Sequence, residues 1–178
     1  SAAADTAVWR LPPRWVLLVA LLSIACAEIG GASMARFKVE LTRWARDRML
    51  ARPAVHGLVG VRDVDERILD EALVKFDAGL RLFHMHAEGM GLVIIATAMV
   101  AATVVRSAPV RGAITVLLTT GGAGYPVGYL LWSALIPSYG PEGAKAIAEW
   151  LVWVPFGSAT IAALWWLVGL VVLRVTGR

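Results

Sequence analysis

The chain has 178 residues, 58% of them hydrophobic and only 17% charged, with a mean hydropathy of +0.69. Soluble domains sit near about 45–50% apolar, so this composition excludes an ordinary soluble globule, and the length asks for a single domain. The net charge of +4 does not point to nucleic acid, because the Lys and Arg residues flank apolar segments, where they meet anionic headgroups, and no basic groove with interleaved aromatics is visible.

Four segments are long enough to span about 30 Å of hydrocarbon, which takes about 20 helical residues. They lie at about 15–34, 82–105, 112–136 and 146–173. The expectation is an all-α integral membrane protein, a single domain over 1–178 with four transmembrane helices. None of the runs alternates strictly, as barrel strands would. The first begins at Trp15 after Pro12 and Pro13. The second closes at Arg106-Ser107-Ala108-Pro109, the third at Pro137 and the fourth at Arg174.

Residues 35–81 hold most of the charge and read as a helical hairpin projecting from the bilayer between the first two spans. In one arm Phe37, Leu41 and Trp44 recur at helical spacing. In the other, Ile68, Leu69, Ala72, Leu73, Phe76 and Leu80 do so. Pro53 and Gly57 break the chain between them, and Asp63 and Asp65 are N-cap candidates.

The third span is punctuated by Gly121-Gly122-Ala123-Gly124-Tyr125-Pro126. Pro126 removes a backbone hydrogen bond and predicts a kink, and the small residues let a neighbouring helix approach, so Gly124, Tyr125 and Pro126 read as a hinge or packing element. Pro155 and Gly157 repeat the pattern more weakly. Trp9, Trp15, Trp132 and Trp150 fall where interfacial belts belong.

An ionisable group at mid-membrane costs roughly 2.5–3.5 kcal/mol, so the charged or titratable residues within the spans are the functional suspects. They are Glu28 in the first span, His84, His86 and Glu88 in the second, and Glu149 in the fourth. Glu28 lies eight residues before Arg36 and Glu88 seven after Arg81. At 1.5 Å per residue each is about 10–12 Å inside its arginine. Glu149, four residues past Lys145, is about 6 Å in. The spacing therefore predicts a cluster in one leaflet. His84 and Glu88 share a helix face, with Glu28 and Glu149 converging on it, while His86 points elsewhere, toward lipid, a partner subunit or a pigment.

Imidazole and carboxylate suit a divalent metal, with His84 and Glu88 the metal candidates. A tetrapyrrole held by a single His is a second possibility, since two His residues on one helix cannot clamp one iron. The stretch Arg81-Leu82-Phe83-His84-Met85-His86 resembles His-x-His segments of membrane haem proteins. No hydrolase elbow, phosphate loop or His-Glu-x-x-His zinc motif occurs, so no catalytic residue is assigned.

The functional expectation is a non-catalytic accessory subunit of a larger, bioenergetic membrane complex. The alternatives are a metal-, haem- or pigment-binding membrane protein, and a small oligomeric transporter or proton pathway. Expected partners are the lipid bilayer and other membrane subunits or further copies of the chain, with no nucleic acid. Four spans put both ends on one side, with Arg10, Arg14, Arg106, Arg111, Arg174 and Arg178 against Asp5. The opposite side holds more Lys and Arg, and by strict count would be cytoplasmic. The arginine pairs at each crossing favour cytoplasmic termini instead, in a bacterial inner membrane.

Overall fold

The computed structural model describes residues 9–177; Asp5 and Arg178, counted above, lie outside them. The described chain is all-helical, with α1 Arg14–Leu50, α2 Pro53–His56, α3 Arg62–Val104, α4 Ala108–Gly124, α5 Val127–Ala148, a π turn Glu149–Trp153, and α6 Val154–Val175. Three helical runs are long and apolar enough to cross a membrane: Arg14–Leu50, Arg62–Val104 and Ala108–Val175.

The first two runs lie antiparallel. Val16 and Ala20 pack against Ile94 and Ala98 at one end, and Arg46 pairs with Glu66 and Asp70 at the other. The third run doubles back. Ile114 and Leu118 share a core with Ala163 and Leu167, Gly121 meets Thr160, and Gly128 meets Trp153, so α4–α5 and the later part of the run pair in opposite directions. The reversal is at Gly140, where φ is +72°. That backbone is left-handed and glycine alone adopts it without cost. A Cβ there would also stand 3.2 Å from the Val55 carbonyl oxygen.

This reversal corrects one sequence expectation. Pro137 does not end its helix; α5 continues to Tyr139, and the break falls on the positive-φ glycine instead. Asp63 and Asp65 are not caps of α3 either. Val61 holds the N-cap position, and Asp65 accepts hydrogen bonds from the Val59 and Gly60 amides, so it braces the preceding loop.

The arms of the 35–81 segment do pack together, but not alone. Ala45, Met49, Leu69, Ala72 and Phe76 form one core with Ile136 and Ala144 of α5. Ser133 donates to the Phe76 carbonyl at 2.7 Å, and His56, at the turn between the arms, reaches the Pro137 carbonyl at 3.2 Å. Lys75 pairs with Glu142 across the same contact. The fold-back at Gly140 therefore runs up beside the arms to their tip.

Phe76, 4% exposed, sits in the core that joins the arms to α5, with its ring tilted against Trp44 at 6.3 Å between centroids. Phe76→Ala should cost about 3–5 kcal/mol, the usual loss for an aromatic deleted from a packed core. The check is the unfolding midpoint in detergent. Arg46→Ala should cost under about 1 kcal/mol in the same assay, because its ion pairs face water. Glu66 raises the Arg46 pKa through a side-chain hydrogen bond, so this guanidinium stays charged throughout the useful pH range.

Candidate functional site

Helix geometry sends the two α3 histidines in different directions. His84 turns toward α1. Its Nδ1 is 2.8 Å from the Ala27 carbonyl, and its ring lies where a Cβ on Gly31 would be, 2.9 Å away. Gly31 is thus the position that lets α1 accept an imidazole. His86 turns toward α5. Its Nδ1 is 2.9 Å from the Leu82 carbonyl of its own helix, and its ring packs on Tyr129 with centroids 4.5 Å apart. A carbonyl only accepts, so Nδ1 carries the hydrogen in both rings, and Nε2 is the atom left with free valence.

This corrects the expected placement of His86. It does not face outward; the α4–α5 turn and α5 cover it with Tyr125 and Tyr129, whose hydroxyls are 3.2 Å apart. The aromatic row continues from Tyr129 to Trp153 at 4.9 Å and from Trp153 to Trp132 at 6.2 Å. Two local devices build this row. Tyr125 and Pro126 lie in the turn between α4 and α5, which presents Tyr125 and Tyr129 on one face. Opposite, Pro155 has no N–H to give to the preceding turn. The helix widens there into the π turn, with the Val154 amide bonded to the Glu149 carbonyl. That extra residue swings Trp153 inward against Gly128.

The three carboxylates do not join the histidines in one pocket. Glu28, Glu88 and Glu149 are all exposed, and none has an ion pair or hydrogen bond among the described residues. Glu149 lies on α5's far side with Lys145, beside a groove of about 410 Å³ walled by Tyr125, Tyr129, Trp153 and Ile161. Helix angle and register assign Glu28 and Glu88 to a different, shared flank. Gly30 and Phe83 touch on the side of the α1–α3 pair that faces Leu130, and Gly31 and His84 touch beside them. At 100° per residue, Glu28 and Glu88 both follow on the opposite, open flank. They are also level: Gly31 opposite His84 sets the antiparallel register, which brings residue 28 opposite about residue 87.

No three His, Cys, Asp or Glu side chains among the described residues come together as a metal site. The fold and this arrangement define, among the described residues, an all-helical bundle of membrane-spanning character, with a half-buried His–Tyr–Trp row and two unpaired carboxylates on one flank. No known family, characterised protein or solved structure shows detectable similarity to the chain.

The i, i+4 spacing puts His84 and Glu88 on one helix face, but it does not reveal Trp153 and Tyr129 as the partners of the His86 region. The i, i+4 spacing of Tyr125 and Tyr129 was the available signal. Nothing in the sequence announces which helix they meet.

Proposed function

We propose that this is an integral membrane protein with four crossings that serves as a non-catalytic subunit of a larger membrane assembly. The run Ala108–Val175 is 68 residues, about 100 Å if straight, against about 30 Å of hydrocarbon. Its fold-back at Gly140 supports two crossings from that run. Both ends then share one side, the cytoplasmic side of a bacterial inner membrane on the arginine pairs that mark it.

The observation that carries the subunit reading is the Glu28–Glu88 pair. Each carboxylate is exposed, and each sits about 10–12 Å below an arginine that marks the headgroup layer. A carboxylate held there against lipid tails is costly, and a covering helix with donors removes that cost. A second copy of the chain is a poor cover, since its own apolar spans expose no Lys or Arg among the described residues. The complement is a different subunit that brings a cation or amide donors. The bioenergetic setting rests on the small size of the chain, its lack of a catalytic signature and its many small-residue helix faces.

Two weaker readings use the same residues. A divalent metal at His84 and Glu88, or a tetrapyrrole on a single His, would find few protein ligands, since His84 turns toward α1 while Glu88 is exposed. A proton pathway would need Glu149 linked to the α3 groups, and the Tyr–Trp row lies between them. Electrophoresis of the complex under native conditions after mild solubilisation tests the main reading. The expected band is far larger than the 19.1 kDa chain and contains a second polypeptide. Migration only as monomer, or only as copies of itself, contradicts it.

A further inference from the structure

We infer that the arginine-lined cavity at the terminal end of the bundle is a binding site for the phosphate of an anionic phospholipid. The cavity, about 720 Å³, lies where the start of α1, the end of α3 and the start of α4 meet. Arg10, Arg14 and Arg111 line it, and no acidic residue among the described residues does. Below the arginines the walls turn apolar, through Trp15, Leu17 and Val116. Cationic rim and greasy floor match a headgroup phosphate with an acyl chain beneath it. Inorganic phosphate shares only the first half of that match.

The rim is held in place. The Arg10 amide donates to Thr103 Oγ1 at 3.0 Å, tying the segment before α1 to α3. Arg111 Nη1 donates to the Val105 carbonyl at 2.9 Å, which closes the C-terminal end of α3. One guanidinium edge is thereby fixed, leaving further N–H donors to an anion. The first turn of α4 adds its positive helix end to the same rim. Arginine offers a planar fork to phosphate, and basic pockets between spans recognise anionic lipids by this chemistry.

The inference rests on the chain being embedded in a bilayer but not on its being a subunit. The test is lipid retention by the purified protein, read by native mass spectrometry, with phosphatidylglycerol, phosphatidylcholine and inorganic phosphate as separate probes. Phosphatidylglycerol should bind at least tenfold more tightly than phosphatidylcholine, and millimolar inorganic phosphate should not displace it. Arg14→Gln and Arg111→Gln should each lose about tenfold of that preference, and Arg111→Lys should lose less. Arg36→Gln, 22 residues further along α1 and not part of the cavity, should keep it. Because Arg111 also closes α3, Arg14→Gln decides if Arg111→Gln fails to fold. Equal retention of the two lipids, an unchanged Arg14→Gln, or complete displacement by inorganic phosphate overturns the assignment.

Discussion

A valine at Gly121 should force α4 and α6 apart, leaving a chain that no longer survives extraction as a single monodisperse species. A Cβ at this position would stand 2.7 Å from the Phe156 carbonyl oxygen and 2.9 Å from the Thr160 nitrogen, with the Thr160 hydroxyl closer still. Two of these atoms are backbone and cannot rotate away. Overpacking usually costs about 1–3 kcal/mol, and contact with rigid backbone sets this case at or above the top of that range. Alanine gives the sharper comparison. In an unobstructed helix, Gly→Ala stabilises by roughly 0.5–1 kcal/mol. Gly89 has nothing within 4 Å of its would-be Cβ, so Gly89→Ala should raise the unfolding midpoint in an SDS titration. Gly121→Ala should lower it. Equal behaviour of the two variants would mean that α4 and α6 do not approach as closely as their glycines allow.

The second large effect is expected at the carboxylate flank and has opposite signs for the lone chain and its assembly. Glu28→Leu with Glu88→Leu removes two exposed, unpaired charges from apolar surroundings, so the isolated bundle should be as stable or more so. The assembly should weaken sharply. Removing one side of a buried charged contact typically costs about 2–5 kcal/mol. At 1.4 kcal/mol per factor of ten, that is more than a tenfold fall in the fraction recovered as complex. Glu28→Gln with Glu88→Gln should fall in between, since an amide keeps a hydrogen-bonding oxygen. Quantitative co-purification, alongside the unfolding midpoint of each variant, reads both signs at once. Loss of both stability and complex would indicate a folding defect. Retention of both would remove the flank from any role in assembly.

Much of the architecture follows from one-dimensional signals. Apolar length located the spanning runs, and helical spacing of Leu69, Ala72 and Phe76 located the face that closes on α1 and α5. What the spacing missed is long-range. Pro137 looks like a stop, yet α5 passes through it and ends the run at Gly140, because only there does the backbone take positive φ. The segment 35–81 looks free-standing because its charges suggest water on all sides. Its buried Ala45, Met49 and Phe76 instead meet a third helix distant in sequence.

The candidate site was legible to the same degree. Angles around one helix separate His84 from His86 correctly, but they do not say which face lines the bundle. His86 turned inward because the Tyr125–Pro126 turn sets two tyrosines opposite it, and Trp153 joined them through a π turn prompted by Pro155. Depth along each helix put Glu28, Glu88 and Glu149 at similar heights. Height alone does not fix azimuth, so Glu149 ended beside Lys145 on another surface of the bundle.

Photo-crosslinking in the native membrane tests the subunit reading most directly. A photoreactive residue is placed in turn at positions 28 and 88, with Ile161, which is exposed on α6, as the comparison. Positions 28 and 88 should yield the same discrete adduct with one other membrane polypeptide, and position 161 should not. Adducts with lipid alone at both carboxylate positions would contradict the proposal, because that flank would then face acyl chains without a partner.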